Sequence, residues 1–321
     1  MILAIGEALV EFRRATPDGR LAVPGEWAGP FPSGAPAIFA SVTARLGAPT
    51  ALVASVGADA FGDALRTRMR NDGVLTDALA TQPHRRTAVA FVAYDASGDR
   101  DFWFSVPDSA AVVVDRVALD RVRAQADWLH VCGSTLSFGG EIAEAVEAAA
   151  EVVKAAGGSL SLDPNLRPNA GPEALARTRE LARTADVVFP SEGELEALGV
   201  TEDELAARGA LVCHTRGAGG AILSGPAVGP ESLAVPAPAA TEVDPTGAGD
   251  TFAAAFVAAT RGGADPVCAA RAACAIASRS VAVLGAMELA VGPDDLPGLD
   301  VHGASRARPA PAPDGERSTP H

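Results

Sequence analysis

The chain holds a single lysine, Lys154, among 321 residues, and Ala155-Ala156 follow it. That scarcity removes two large classes of phosphate-binding protein. A P-loop requires Gly-Lys-Ser/Thr, and a protein-kinase fold requires a strand lysine in a Val-Ala-Ile-Lys setting. Any phosphate bound here is met by backbone amides, arginines or a metal. Positive charge is short overall: 26 Lys+Arg stand against 40 Asp+Glu, a net charge of −14. This disfavours nucleic acid and anionic membranes as partners, and neither is expected. No apolar run reaches the roughly 18–20 residues of a membrane span, and the N-terminus lacks a basic segment followed by an apolar one. A cytoplasmic protein is expected. The four cysteines (Cys132, Cys213, Cys268, Cys274) form no C-x-x-C pair and sit in apolar or Ala-rich surroundings. They read as buried free thiols, not as a disulfide or zinc framework. The five histidines show no ligand spacing; His130 and His214, near strand ends, read as partly solvated polar residues.

What is present suits an α/β protein. A hydrophobic fraction of 48% can fill a sizeable core, and the length fits one large domain with a small appendage. Short apolar runs alternate with Ala-rich helical stretches. Strands are expected at 2–5, 51–56, 128–132, 159–162, 186–189 and 211–214. Helices are expected at 37–46, 60–71, 117–126, 141–156, 172–184, 192–198, 250–260 and 266–283. Strands of continuous apolar character separated by helices predict a mostly parallel central sheet flanked by helices on both faces. Segments 11–32 and 87–108 break the rhythm and read as β. The second has β-rich runs on either side of Asp95-Ala-Ser-Gly-Asp, a hairpin signal. The two could pair into a small β-sheet lid over the carboxyl ends of the main strands, or form an ordinary edge hairpin. The α/β body is expected to span 1–302. Residues 303–321, rich in Pro, Ala and Arg, are expected to be a disordered tail.

The most informative segment is Asp244-Pro-Thr-Gly-Ala-Gly-Asp250. Two glycines stand before a strongly helical stretch, so free N–H groups and the helix dipole converge on one point. A carboxylate, Asp250, sits on the first turn. An anion cradle beside a base suits phosphoryl transfer: charge on the moving phosphate is stabilised, and the attacking hydroxyl loses a proton. The competing reading of Asp250 is a plain helix N-terminal charge. Glu194 also reads as a surface charge beside Glu192 and Glu196, Arg167 as a solvated loop arginine, and Phe102-Trp-Phe104 as a packed edge strand.

The ordered set of motifs resembles the ribokinase-like, phosphofructokinase-B type carbohydrate kinases across about residues 1–292. Gly6-Glu-Ala-Leu-Val-Glu-Phe resembles their opening strand, and Ser33-Gly-Ala-Pro-Ala-Ile-Phe-Ala with Ala44-Arg-Leu-Gly their first signature. Val56-Gly-Ala-Asp-Ala-Phe-Gly is similar to the next turn, and Asp163-Pro-Asn-Leu-Arg-Pro to the Asp-x-Asn-x-Arg stretch of fructokinases and 2-keto-3-deoxygluconate kinases. Pro190-Ser-Glu-Gly-Glu-Leu stands at the metal-associated Asn-x-x-Glu motif, Thr215-Arg-Gly-Ala-Gly-Gly-Ala at the nucleotide-proximal loop, and Asp244–Asp250 at the second signature. The resemblance implies roles. Asp250 would be the base, with Gly247, Ala248 and Gly249 as the anion hole. Glu11, Gly34, Arg167 and Asp250 would meet the sugar. Thr215, Gly217, Gly220 and Cys274 would line the ATP channel. Glu194 would organise Mg²⁺ through water, and Asp244 and Thr246 would hold a monovalent cation such as K⁺. In relatives the lid doubles as a homodimer contact, so a homodimer is a further expectation.

The departures concentrate in the acceptor pocket. Ser33 replaces a usual glycine, Ile38 an asparagine, and Glu11 an aspartate; Ser191 and Cys274 each stand for an asparagine. Aligning Ser109-Ala110 with the family's Ser-Ala places Val106 where 2-keto-3-deoxygluconate kinases carry a carboxylate-binding arginine. A buried carboxylate needs forked, charged donors. The expected substrate is therefore a neutral ketose, fructose-like or tagatose-like, phosphorylated at a primary hydroxyl. A sugar-acid kinase is the alternative, a nucleoside kinase the third. Outside enzymes, a catalytically weak sugar-binding relative stays open.

Overall fold

A computed structural model describes residues 1–16, 21–95, 100–167 and 170–296. The tail expected at 303–321, the end of the expected body at 297–302 and the tip of the hairpin at 96–99 lie outside them. Among the described residues thirteen strands run in order: β1 (Ile2–Ile5), β2 (Leu9–Arg14), β3 (Trp27–Ser33), β4 (Thr50–Gly57), β5 (Leu79–Gln82), β6 (Ala88–Tyr94), β7 (Arg100–Phe104), β8 (Trp128–Cys132), β9 (Ser159–Asp163), β10 (Val187–Val188), β11 (Leu211–Thr215), β12 (Ala221–Ser224) and β13 (Leu233–Val235).

Nine of them build one sheet in the order β13-β12-β11-β10-β9-β8-β1-β4-β5. The pairs from β5 through to β11 are parallel; β12 and β13 add antiparallel strands at one edge. Both faces are covered, which is why β1 and β4 are buried at every position, and even the polar Ser161 of β9 and His130 of β8 lie inside. In β1, Ile2 and Ala4 join the core under helices 35–45, 60–71, 248–261 and 266–280. Leu3 and Ile5 point the opposite way, into the core under helices 116–123, 140–155 and 172–184. Helix Ala248–Arg261 is buried continuously from Asp250 to Ala259. Its alanines (Ala253–Ala255, Ala258, Ala259) leave room for close packing, and Phe252 and Phe256 fill the remaining space against Phe189. The turn at its start is thus anchored in the middle of the core.

The remaining strands form a second sheet, β3-β2-β6-β7. The segments expected to be β at 11–32 and 87–108 do pair, β2 with β6 in parallel and the outer pairs antiparallel. Its root is Asp59. That carboxylate accepts the N–H of Gly62, capping helix 60–71, and both the N–H (2.9 Å) and hydroxyl (2.7 Å) of Thr87, where β6 begins. Thr87 Oγ1 in turn accepts from Gly57 N–H at the end of β4. One side chain fixes the angle between the small sheet and the body.

Sequence and structure differ in detail. Strand 186–189 is trimmed to Val187–Val188, although hydrogen bonds from Asp186 N to Leu160 O and from Phe189 N to Leu162 O continue the alignment. Strands β5 and β12 and helix Glu202–Ala207 carry too little periodic signal to be foreseen. His130 is not partly solvated. It is fully buried, stacks on Phe39 at 3.8 Å and bonds Ser161 Oγ, and burial pushes its imidazole down to about 3. Cys132, Cys213 and Cys274 are buried free thiols as expected, whereas Cys268 is exposed at the start of helix 266–280.

Replacing Asp59 with Ala removes a helix cap and two bonds to Thr87, so we expect a loss of about 2–3 kcal/mol in denaturant unfolding, with Asp59→Asn retaining part of it. A loss below about 0.5 kcal/mol would mean that the root is held elsewhere.

Candidate active site

The site lies where parallel strands end. Glu7 follows β1, Asp163 closes β9, Thr215 closes β11, and Glu194 opens a short helix after β10. Carboxyl ends of parallel strands are where α/β sheets hold ligands. Into this cleft comes the start of helix 248–261.

The turn before that helix has a physical requirement for glycine. Gly247 caps the helix with φ 78°, and a Cβ there would press Ile38 Cδ1 and Ala286 Cβ at 3.1 Å. Ile38, placed at a sugar-bonding position by the sequence comparison of motifs, therefore packs against the turn. Ala248 N–H donates to Pro245 O at 3.2 Å. The amides of Gly249 and Asp250 lie on the first turn, where a helix offers no internal acceptor. Asp250 itself is buried, with 8% of its surface exposed.

Around Asp250 the structure gathers acids. Asp163 lies against the same turn, its Oδ2 3.8 Å from where a Gly249 Cβ would sit. Burial first, and then the carboxylates of Glu194 and Asp250, raise its pKa well above the usual carboxylate range, against the pull of Asn165 N–H and Arg167. Glu194 is largely buried, not a surface charge. Its Oε1 accepts Leu166 N–H (2.7 Å) and its Oε2 accepts Ser191 N–H (2.8 Å), so it binds the loop after β9 to the loop after β10. At the end of β8, burial first and then the charges of Asp250, Asp163 and Glu7 push the Cys132 thiol well up, against Arg167.

Arg167 comes from the loop after β9. Its Cζ stands 5.9 Å from the Phe102 ring and 5.7 Å from the Phe104 ring. Those rings share one face of β7 and stack at 5.4 Å, while Trp103 points the other way, toward Phe91, and is 53% exposed. The small sheet thus lays two aromatic rings beside the body's arginine. Glu11, on β2, is buried and accepts from Ser33 Oγ. Burial first, and then the charge of Asp244, push its carboxyl up to about 7, against Ser33, Arg13 and Arg167. Gly34 (φ 106°) caps helix 35–45 where the backbone passes over Glu7, whose carbonyl a Cβ would strike. Val106 is fully buried in a small apolar cluster and presents no charge.

Asp244 is 1% exposed. Its Oδ1 accepts Thr246 N–H (3.1 Å), its Oδ2 accepts Gly285 N–H (3.0 Å), and Arg13 Nη1 lies 3.3 Å from Oδ2. Thr246 Oγ1 is 2.9 Å from Tyr94 Oη. At the far side, Thr215 Oγ1 donates to Pro190 O, and Gly217 and Gly220 bracket the tight turn between β11 and β12. Cys274 is buried behind β13, its Sγ 3.8 Å from Val235 O, so its thiol faces the sheet.

Motif reasoning passed over three neighbours. Glu7 is fully buried and accepts from Ser134 Oγ (3.0 Å) and Thr135 Oγ1 (2.7 Å); burial raises its pKa, against Thr135, its own backbone, Arg167 and Ser134. Arg13 was signalled by strand alternation, two residues beyond Glu11 on one face. Tyr94, the only tyrosine of the chain, carried no such signal.

Comparison with known proteins agrees with this geometry. The pfkB family carbohydrate kinase signature matches residues 1–291. A fructokinase of Vibrio alginolyticus is 34% identical over 248 residues, covering 71% of this chain and 76% of its own. An E. coli protein assigned as a ribokinase II, solved with ATP and Mg²⁺, superposes with a TM-score of 0.83 at 34% identity, covering 92% of this chain and 97% of its own. A fructokinase of Vibrio cholerae O395, solved with fructose, ADP and calcium, gives 0.75 at 29% identity, covering 89% and 94%. The chain belongs to the pfkB family of carbohydrate kinases, with the ribokinase-like fold. Among the described residues no helix is long and apolar enough to cross a membrane.

The raised Glu11 carboxyl predicts a pH dependence. Between about 4.5 and 7 the unfolded chain has released this proton and the folded chain has not, so its share of stability falls as pH rises through that window. Glu11→Gln removes the cost while keeping an oxygen for Ser33. We expect the variant to melt about 2–6 °C above wild type at pH 8 and close to it at pH 4.5. A variant that melts lower at pH 8 would show that Glu11 is held ionised by its neighbours.

Proposed function

We propose that the protein transfers the γ-phosphoryl group of ATP to a primary hydroxyl of a small neutral ketose, fructose-like. The observation that carries this reading is the buried Asp250 carboxylate on the first turn of helix 248–261, with Asp163 against the same turn and Arg167 beside the rings of Phe102 and Phe104. Asp250 accepts the hydroxyl proton as the oxygen attacks. The amides of Gly247, Ala248 and Gly249 meet charge growing on the transferring group, where fixed donors act most strongly. Glu11 and Arg167 orient the sugar, with Gly34 letting the chain pass close behind, and the aromatic rings exclude water. Thr215, Gly217 and Gly220 border the nucleotide channel, with Cys274 in the wall behind it.

The residues fit Mg²⁺. The charges of Glu194 and Asp250 act on Asp163 in the same cleft, and a hard cation takes one or two carboxylates plus water and phosphate. Both Glu194 oxygens already accept backbone amides, which suits contact through water. When bound, the ion offsets phosphate charge.

A neutral acceptor is supported by the buried Val106 and by fructokinases among the relatives, one of them solved with fructose. ADP-release assays over fructose, tagatose, glucose, 2-keto-3-deoxygluconate and nucleosides test it. The largest kcat/KM is expected for fructose or tagatose; a largest value for the keto-deoxy acid would overturn the neutral-ketose reading. Asp250→Asn is expected to lower kcat by about 10²–10⁴-fold while calorimetry shows ATP binding nearly unchanged. A loss under about 5-fold would remove Asp250 from the role of base.

A further inference from the structure

Asp244 is a buried carboxylate immediately before the anion-binding turn, and a buried anion is tolerated only when paired and fully hydrogen-bonded. Two of its bonds come from the backbone, at Thr246 and Gly285. The charge that answers it is Arg13, and Arg13 Nη1 does two things at once: it lies 3.3 Å from Asp244 Oδ2 and donates to Val243 O at 2.7 Å. A carboxylate oxygen and a backbone carbonyl are the ligands a monovalent cation would take here. The guanidinium already has both, so Asp244 and Thr246 do not fit the K⁺ site that the family resemblance implies.

Arg13 arrives from a different part of the fold. It lies on β2 of the small sheet, and its Cζ sits 4.7 Å from the centre of the Tyr94 ring on β6. Tyr94 Oη in turn meets Thr246 Oγ1, one residue before Gly247. Two residues of the small sheet thus grip the loop 243–246 from one side, while Gly285 holds it from the other. Val243 N and Asp244 N both donate to Val281 O, fixing the base of the loop. We infer that Arg13 is a positioning residue, the built-in counter-ion of the Asp244–Asp250 turn, and that the enzyme therefore works without an added monovalent cation. Because the charge is supplied by the small sheet, the turn is set only when that sheet is seated as seen here.

The inference rests on the kinase reading for its kinetic arm but not for its thermal one. Melting temperature and, where a sugar is turned over, kcat are measured for the full chain in tetramethylammonium chloride and in potassium chloride at equal ionic strength. Wild type should melt within about 1 °C in the two salts and turn over within about 2-fold. Arg13→Met should melt lower in tetramethylammonium and gain at least about 2 °C from potassium. Its kcat should fall about 10–100-fold without potassium and recover at least about 5-fold with potassium or a few millimolar guanidinium, since the anion hole is then re-set by a free cation. Arg13→Lys keeps the charge and should stay indifferent to potassium, which keeps the inference testable if the methionine variant does not fold. Potassium raising the wild-type melting temperature or kcat, potassium dependence in Arg13→Lys, or an Arg13→Met variant as active as wild type in tetramethylammonium would each overturn it. Silence of wild type toward every sugar would instead count against the proposed reaction and leave the thermal comparison to decide this point.

Discussion

Negative charge buried at the ends of parallel strands is the constraint around which this site is built. Glu7, Glu11, Asp163, Glu194, Asp244 and Asp250 all lose most of their water on folding. Each carboxylate is costly there unless something answers it. The fold answers in three ways. Backbone amides take both oxygens of Glu194 and both of Asp244. Hydroxyls of Ser134, Thr135 and Ser33 serve Glu7 and Glu11. Two arginines, Arg13 and Arg167, bring positive charge from opposite sides of the cleft. Where the answer falls short, at Glu11 and Asp163, the carboxyl holds its proton more tightly than usual.

An acidic cleft that handles phosphate is less paradoxical than the net charge suggests. Local potential decides binding, and local potential here comes from peptide dipoles, not from lysine. The turn at Gly247 is rigid because the helix it opens is buried from Asp250 to Ala259. Fixed dipoles need no reorganisation when charge develops on the transferring group. The core of the protein and its chemistry are in this sense one object: the alanine-rich helix that packs the sheet also aims the amides.

The small sheet has a double relation to that turn. It lays Phe102 and Phe104 by Arg167, and Arg13 and Tyr94 by the loop 243–246. Asp59 ties its root to the body through Thr87. Seating of this one element therefore bears on both the loop after β9 and the loop before helix 248–261.

Much of this was legible in the chain. Continuous apolar strands at 2–5 and 51–56, with helices between strands, announced a sheet covered on both faces, and the segments at 11–32 and 87–108 announced a second. Gly247-Ala-Gly-Asp250 announced an anion site, because glycine spacing and helix polarity are local properties of sequence. Short edge strands such as β5 and β12 were not legible, since their pairing partners, not their residues, make them strands. Nor was the burial of His130, which follows from Phe39 closing over it. Sequence alone settled which residues could carry charge, where backbone amides would be free, and that no lysine would take part. Tertiary structure decided which charges meet. Arg13 and Asp244 are 231 residues apart, and only the packing of one sheet against another's helix places a guanidinium on a buried carboxylate. Coulomb energy depends on distance in space and on local dielectric, and neither is written in the order of residues.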